Sequence, residues 1–159
     1  MRPVVILFAA TWLGLSGASA GTVTPREGWS VIDTDYAFSE LIERPNAAIT
    51  SAGMGLVTSA SASEGAKAAG VSIPGNRVVG VFRNDFARRM LGSSVAAGIE
   101  APIRFYVTEN PDGTATLSYR TPNSVFAPYF VEGGDELRAL ASEIDVIFAE
   151  IAKGVAGTD

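Results

Sequence analysis

Arg104 and Arg120 stand on either side of a short link, in the segments Ile103–Glu109 and Thr114–Arg120. Both segments alternate apolar and polar residues, the pattern of half-buried strands. The link Asn110-Pro111-Asp112-Gly113 has Pro where a type I turn favours it and Gly where a bulge needs a positive φ. The spacing therefore predicts a β-hairpin with Asn110 opposite Thr114. Counting back, Phe105 faces Tyr119 and Arg104 faces Arg120. Like charges directly opposed across two strands are destabilising. Tyr106 and Ser118 lie beside the two arginines on the same face. Two guanidiniums flanked by hydroxyls suit a carboxylate or another anion, which accepts charge-assisted hydrogen bonds. The competing reading is that Glu100, Glu109 or a helix acid neutralises them, or that water does, as is usual for charge on the outer face of a strand.

Arg83, Asn84, Arg88 and Arg89 form a second basic cluster, near a predicted helix start. A helix N-terminus with arginine nearby can hold an anion; a cap followed by a solvated helix face explains the same residues. Other motifs fail on spacing. Gly53-Met54-Gly55 lacks the third glycine of a dinucleotide loop. Ser63 and Lys67 are one residue too far apart for Ser-x-x-Lys. Gly133-Gly134-Asp135-Glu136 reads as a hinge and cap, not as a metal loop. Nothing in the spacing of Asp33, Asp35, Glu40 and Glu109 argues for a paired acid and base.

The 159 residues include no His and no Cys. That removes disulfides, the usual zinc sites, thiol chemistry and every Ser-His or Cys-His nucleophile pair. Catalysis would fall to carboxylates, Arg, Lys, Tyr, Ser and Thr; no catalytic residue, metal or cofactor is assigned, though an oxygen-ligated cation is open in principle. A net charge of −5 argues against nucleic acid as a partner. Ten of the twelve bases are arginine. That choice suits bidentate contacts, and a GC-rich genome would also produce it.

Residues 1–20 read as a cleavable secretory leader: Arg2, an uncharged run from Val4 to Leu15, then Ala18-Ser19-Ala20 as the cleavage site. The run is shorter than the roughly 20 residues of a membrane span. The expectation is an exported protein, in the periplasm or outside the cell, with no membrane attachment once the leader is cut. A lead-in, 21–27, then precedes one domain, 28–153, and a frayed tail, 154–159.

Along that domain, Gly28–Asp33 reads as a strand, with Asp33 or Thr34 capping a helix. Phe38, Leu41, Ile42, Ile49 and Ala52 share one helical face, which Pro45 should kink or split. Met54–Ala60 is a strand and Ser61–Ala69 a short helix. Arg77–Arg83 is an apolar strand expected at the centre of a sheet, buried on both faces. Asn84 is expected to cap the turn Asp85–Leu91. After the hairpin, 123–130 is a short helix broken at Pro128. Gly133-Gly134 is a hinge and Asp135 a cap for a last helix, closed by Gly154. Leu137, Leu140, Ala141, Ile144, Phe148 and Ile151 give that helix a continuous apolar stripe. The fold class is α+β: a small, mainly antiparallel sheet with helices packed on one side and a C-terminal amphipathic helix. The aromatic set Tyr106, Tyr119, Phe126, Tyr129 and Phe130 reads as core plus an interface edge, or as the lining of an apolar pocket.

The stretch Met54–Pro122 resembles the family catalogued as domain of unknown function 302. The features are a Gly-led strand after a helix, a small-x-Pro turn into a hydrophobic strand and an Asn-led short helix. A Gly and a Pro then start Ile-Arg-Phe-Tyr-Val, and an acidic Gly turn leads into Leu-Ser-Tyr-x-x-Pro. The chain departs from the pattern at Arg83-Asn84-Asp85, where a Gly-Asn-Pro-like turn is expected, and at Pro45. The resemblance implies a compact α+β domain, a homodimer, and transfers no catalytic residue. Two functions are weighed. One is a non-catalytic binding or interaction module for a small anionic or apolar ligand or a partner protein. The other is a hydrolase or lyase using carboxylates and arginine.

Overall fold

The turn at Asn110–Gly113 sets the register of the sheet. A computed structural model describes residues 22–158, so the leader expected over 1–20 lies outside the described residues. Asn110 receives a hydrogen bond from Gly113 N–H at 2.9 Å and donates its own N–H to Thr114 O at 2.8 Å. Gly113 takes φ 86°, a conformation that costs a glycine nothing. The turn joins β4 (Ile103–Glu109) to β5 (Thr114–Arg120), and Phe105 faces Tyr119 as the count predicts.

β1 (Trp29–Ala37) pairs with β5, β3 (Asn76–Phe82) with β4, and β2 (Gly55–Ala60) with β3. The five strands are all antiparallel, in the order β1-β5-β4-β3-β2. Strand alternation then sorts the side chains. Val79, Val81, Ile103, Phe105, Val107, Ala115, Leu117 and Tyr119 are buried on one face. Against it lie α2 (Arg44–Ser51), α4 (Asn84–Ser93), α5 (Pro122–Phe126) and α6 (Phe130–Ala156). The stripe on α6 is the other half of the core: Leu137, Leu140, Ala141, Ile144, Phe148 and Ile151 are all buried. Phe148 stacks on Phe105, with ring centroids 4.8 Å apart and planes 14° from parallel.

Several local expectations change. β1 runs on through Thr34 to Ala37, so neither Asp33 nor Thr34 caps a helix. Their side chains are spent across the sheet: Thr34 donates to Ala115 O, and Asp33 accepts from Thr116. Pro45 does split the helix. α1 (Phe38–Leu41) ends, and Pro45 opens α2, where its missing N–H costs no bond. Ser61 caps α3 (Ala62–Ala68) by accepting from Glu64 N–H. β3 is not central: β4 holds the middle, and β3 sits one strand from the edge. Asn84 caps nothing; Arg83 is the N-cap of α4 and makes no side-chain cap bond. Gly134 breaks α6 at φ 60°, ψ −153°, as a hinge should. Gly154 does not end it. Burial of Val155 and Ala156 carries the helix to Ala156, and Gly157 takes the left-handed closing position.

The face away from the helices is partly strapped by residues 22–28. Thr22 donates its N–H to Asn110 Oδ1 at 3.0 Å, beside the hairpin turn. Gly28 O, at the other end, receives Thr121 N–H at 2.9 Å and Ser124 Oγ–H at 2.7 Å. The lead-in therefore returns along the length of β5, on the side where Asn110 meets Thr116.

Gly80 is the tightest point of this outer face. A Cβ there would meet Thr58 Oγ1 and Pro102 Cγ, the latter at 2.7 Å. Gly80→Val should lower the unfolding free energy by about 1–3 kcal/mol through overpacking. Gly65→Ala, in α3 with nothing within 4 Å, should raise it by roughly 0.5 kcal/mol. Urea denaturation with unchanged slopes checks both, and a neutral Gly80→Val would contradict this packing.

Candidate functional site

Alternation puts Arg104 and Tyr106 of β4, and Ser118 and Arg120 of β5, on the outer face. Tyr106 pairs with Ser118, and the register places Arg104 opposite Arg120 one step beyond Phe105 and Tyr119. β1 and β3 complete the surroundings. Trp29 pairs with Arg120, Val31 with Ser118 and Val78 with Tyr106. The result is a notch of about 320 Å³ at one end of the sheet. Arg104, Tyr106, Ser118 and Arg120 line it together with Trp29, Val78 and Glu100, and the core residues Ile103, Tyr119 and Val125 also reach it.

The polar groups in this notch are incompletely paired. Ser118 is fully buried, and its Oγ has no hydrogen-bond partner. Leaving such a hydroxyl unsatisfied costs about 1–3 kcal/mol. Two other buried polar atoms among the described residues, Arg77 Nε and Thr108 Oγ1, are also unpartnered, and neither residue lines the notch. Arg120 Nη2 donates to Ser124 O at 3.0 Å, a neutral acceptor. The ion pairs among the described residues are Arg77–Glu64, Arg83–Asp85 and Arg89–Glu143. Of the acids expected to neutralise Arg104 and Arg120, Glu109 does not line the notch, and Glu100 lines it without closing an ion pair to either arginine. Glu109 accepts from Gly75 N–H at 2.6 Å, and Glu100 accepts from Tyr129 O–H at 2.9 Å.

That last bond holds the Tyr129 phenol above its ordinary range, because ionising it would set a phenolate against the Glu100 carboxylate; burial and the nearby Glu132 add to the effect. A raised value means that the Tyr129–Glu100 link stabilises the fold below the ordinary phenol pKa of about 10. The contribution is lost as pH climbs through the raised one. Burial likewise raises Tyr119.

Arg83 and Asn84 do not join this notch. Arg83 is committed to Asp85 at 2.8 Å and lies 3.4 Å over the Phe86 ring. Its hydrogen bond holds the Asp85 carboxyl below the usual range. The aromatic set divides. Tyr119 and Phe126 are core, Tyr106 lines the notch, and Tyr129 and Phe130 are half-buried before the Gly134 break. Glu100, which the sequence offers as a neutralising acid, does line the notch. Trp29 and Val78 were not signalled by the hairpin; they reach it through strand pairings that local spacing does not specify. Among the described residues no group of three His, Cys, Asp or Glu could hold a metal, and no helix is long and apolar enough to cross a membrane.

Two predictions follow from this geometry. Arg104→Thr removes an opposed like charge and should stabilise the fold by about 0.5 kcal/mol at low salt. The gain should shrink as salt screens the pair. A loss of stability, or a gain indifferent to salt, would refute the opposition. Glu100→Gln should lower the Tyr129 midpoint towards ordinary phenol, seen as an earlier tyrosinate absorbance change on alkaline titration. An unshifted titration would rule out the link.

Residues 31–153 match the family model described as Domain of unknown function DUF302. The crystal structure of an uncharacterized conserved DUF302 protein from Bacillus stearothermophilus has a similar backbone. Its TM-score is 0.71, over 82% of this chain and 99% of that one, at 18% sequence identity. At that identity the likeness is one of fold. No curated protein matches the chain.

Proposed function

The chain belongs to the DUF302 family, and within that α+β fold we propose that it is an exported binding domain whose notch takes a small anion. The observation that carries this reading is the conjunction at one place of two guanidiniums without a carboxylate partner and a buried hydroxyl without a hydrogen bond. The unpaired hydroxyl is unfavourable alone, while Arg104 is exposed and Arg120 part-buried. An anion between Arg104 and Arg120 relieves their repulsion, and an acceptor oxygen over Ser118 satisfies its Oγ–H. Export follows from reading residues 1–20 as a cleaved leader.

Binding is favoured over hydrolysis or lysis by the acid inventory of the notch. The paired acid–base chemistry of glycoside hydrolysis needs two carboxylates converging. One lines this site, Glu100, and it is already an acceptor for Tyr129.

Ligand-dependent stability tests the reading. At constant ionic strength, an anion at about ten times its Kd stabilises the fold by about 1.4 kcal/mol. Carboxylate salts should thus raise the thermal midpoint more than matched chloride. The effect should vanish in the double variant Arg104→Ala plus Arg120→Ala. Anion stabilisation that survives in that variant, or is absent from the unmodified protein, defeats the proposal.

A further inference from the structure

We infer that the ligand of this notch is an organic monocarboxylate with an apolar body, and not an inorganic oxyanion or a phosphate ester. The inference rests on the anion-binding reading above and adds the class of ligand.

Three features carry it. The first is size. The notch volume of about 320 Å³ falls at the small end of the roughly 300–1,000 Å³ typical of organic-ligand sites. A water molecule's share of liquid volume is about 30 Å³. A lone tetrahedral oxyanion would leave most of the space to solvent.

The second is the lining. Away from the guanidiniums the walls are Trp29, Val78, Tyr106, Ile103 and Val125. Two of these present aromatic rings, which stack on or edge against a flat apolar group. Trp29 is held from outside by Arg26, whose guanidinium stands 5.0 Å from the ring centroid. The strap that brings Arg26 there is tied at both ends, so this wall is built before any ligand arrives.

The third is charge. Arg104 and Arg120 bring two positive charges, and Glu100 in the same lining brings one negative. The remainder is matched by a single negative charge. A phosphate dianion would add repulsion from Glu100, whose oxygen already accepts from Tyr129. A carboxylate spreads one charge over two oxygens, enough to bridge the guanidiniums and still accept from Ser118.

Titration calorimetry with benzoate, inorganic phosphate and phenyl phosphate, at one ionic strength and neutral pH, tests the assignment. Benzoate should bind at least tenfold more tightly than either phosphate. Trp29→Leu should remove most of that margin while leaving the weak phosphate heat intact, which also certifies that the variant is folded. If either phosphate binds as tightly as benzoate, the monocarboxylate assignment fails and the anion site stands. If Trp29→Leu keeps the full margin, the apolar wall is not the source of selection and the assignment likewise fails. If none of the three binds, the inference and the anion reading fall together.

Discussion

The hairpin turn is the constraint on which the rest depends. Asn110 fixes Thr114, and from that pair every facing pair of β4 and β5 is determined. A slip of one residue would exchange the two faces of a strand. If β5 slipped, Leu117 and Tyr119 would leave the core and Ser118 and Arg120 would enter it; if β4 slipped, Phe105 and Val107 would give way to Arg104 and Tyr106. The register that buries the apolar half thus also forces the two arginines together. Asn110 does more than close the turn: its side chain accepts Thr22 N–H and so anchors the strap on the outer face.

The core and the notch are two consequences of one alternation, and they differ in how well they are satisfied. The inner face is packed by α6, with Phe148 stacked on Phe105 and beside Tyr119. The outer face carries a buried hydroxyl without a partner and two arginines that close no ion pair. Proteins tolerate such local deficits where another requirement outweighs stability. The inner face supplies the surplus that makes the outer one affordable, and the family fold provides the frame.

What was legible in the sequence follows from range. The hairpin, its register and the clustering of Arg104, Tyr106, Ser118 and Arg120 are decided within eighteen residues, by turn chemistry and period-two alternation. The stripe on α6 was legible because its 3.6-residue period is long and uninterrupted. The neighbours of the hairpin were not. That Trp29 faces Arg120 depends on β1 returning beside β5 across nearly a hundred residues, and no local pattern encodes that pairing. The length of β1 was hidden for a related reason: Asp33 and Thr34 look like caps until Thr116 and Ala115 stand across from them. Apolar run length misplaced β3, because an interior strand one step from the edge can be as apolar as the central one. Gly154 resembled a terminus, yet Val155 beyond it is buried and holds the helix.

On the proposed reading, Arg104, Arg120 and Ser118 together hold the charged end of a ligand, and a crystal structure of the protein grown with benzoate tests it. The benzoate carboxylate is expected between the two guanidiniums, within hydrogen-bond distance of Ser118 Oγ, with the ring between Trp29 and Tyr106. A notch filled only by water, with benzoate absent or bound elsewhere on the surface, would contradict it.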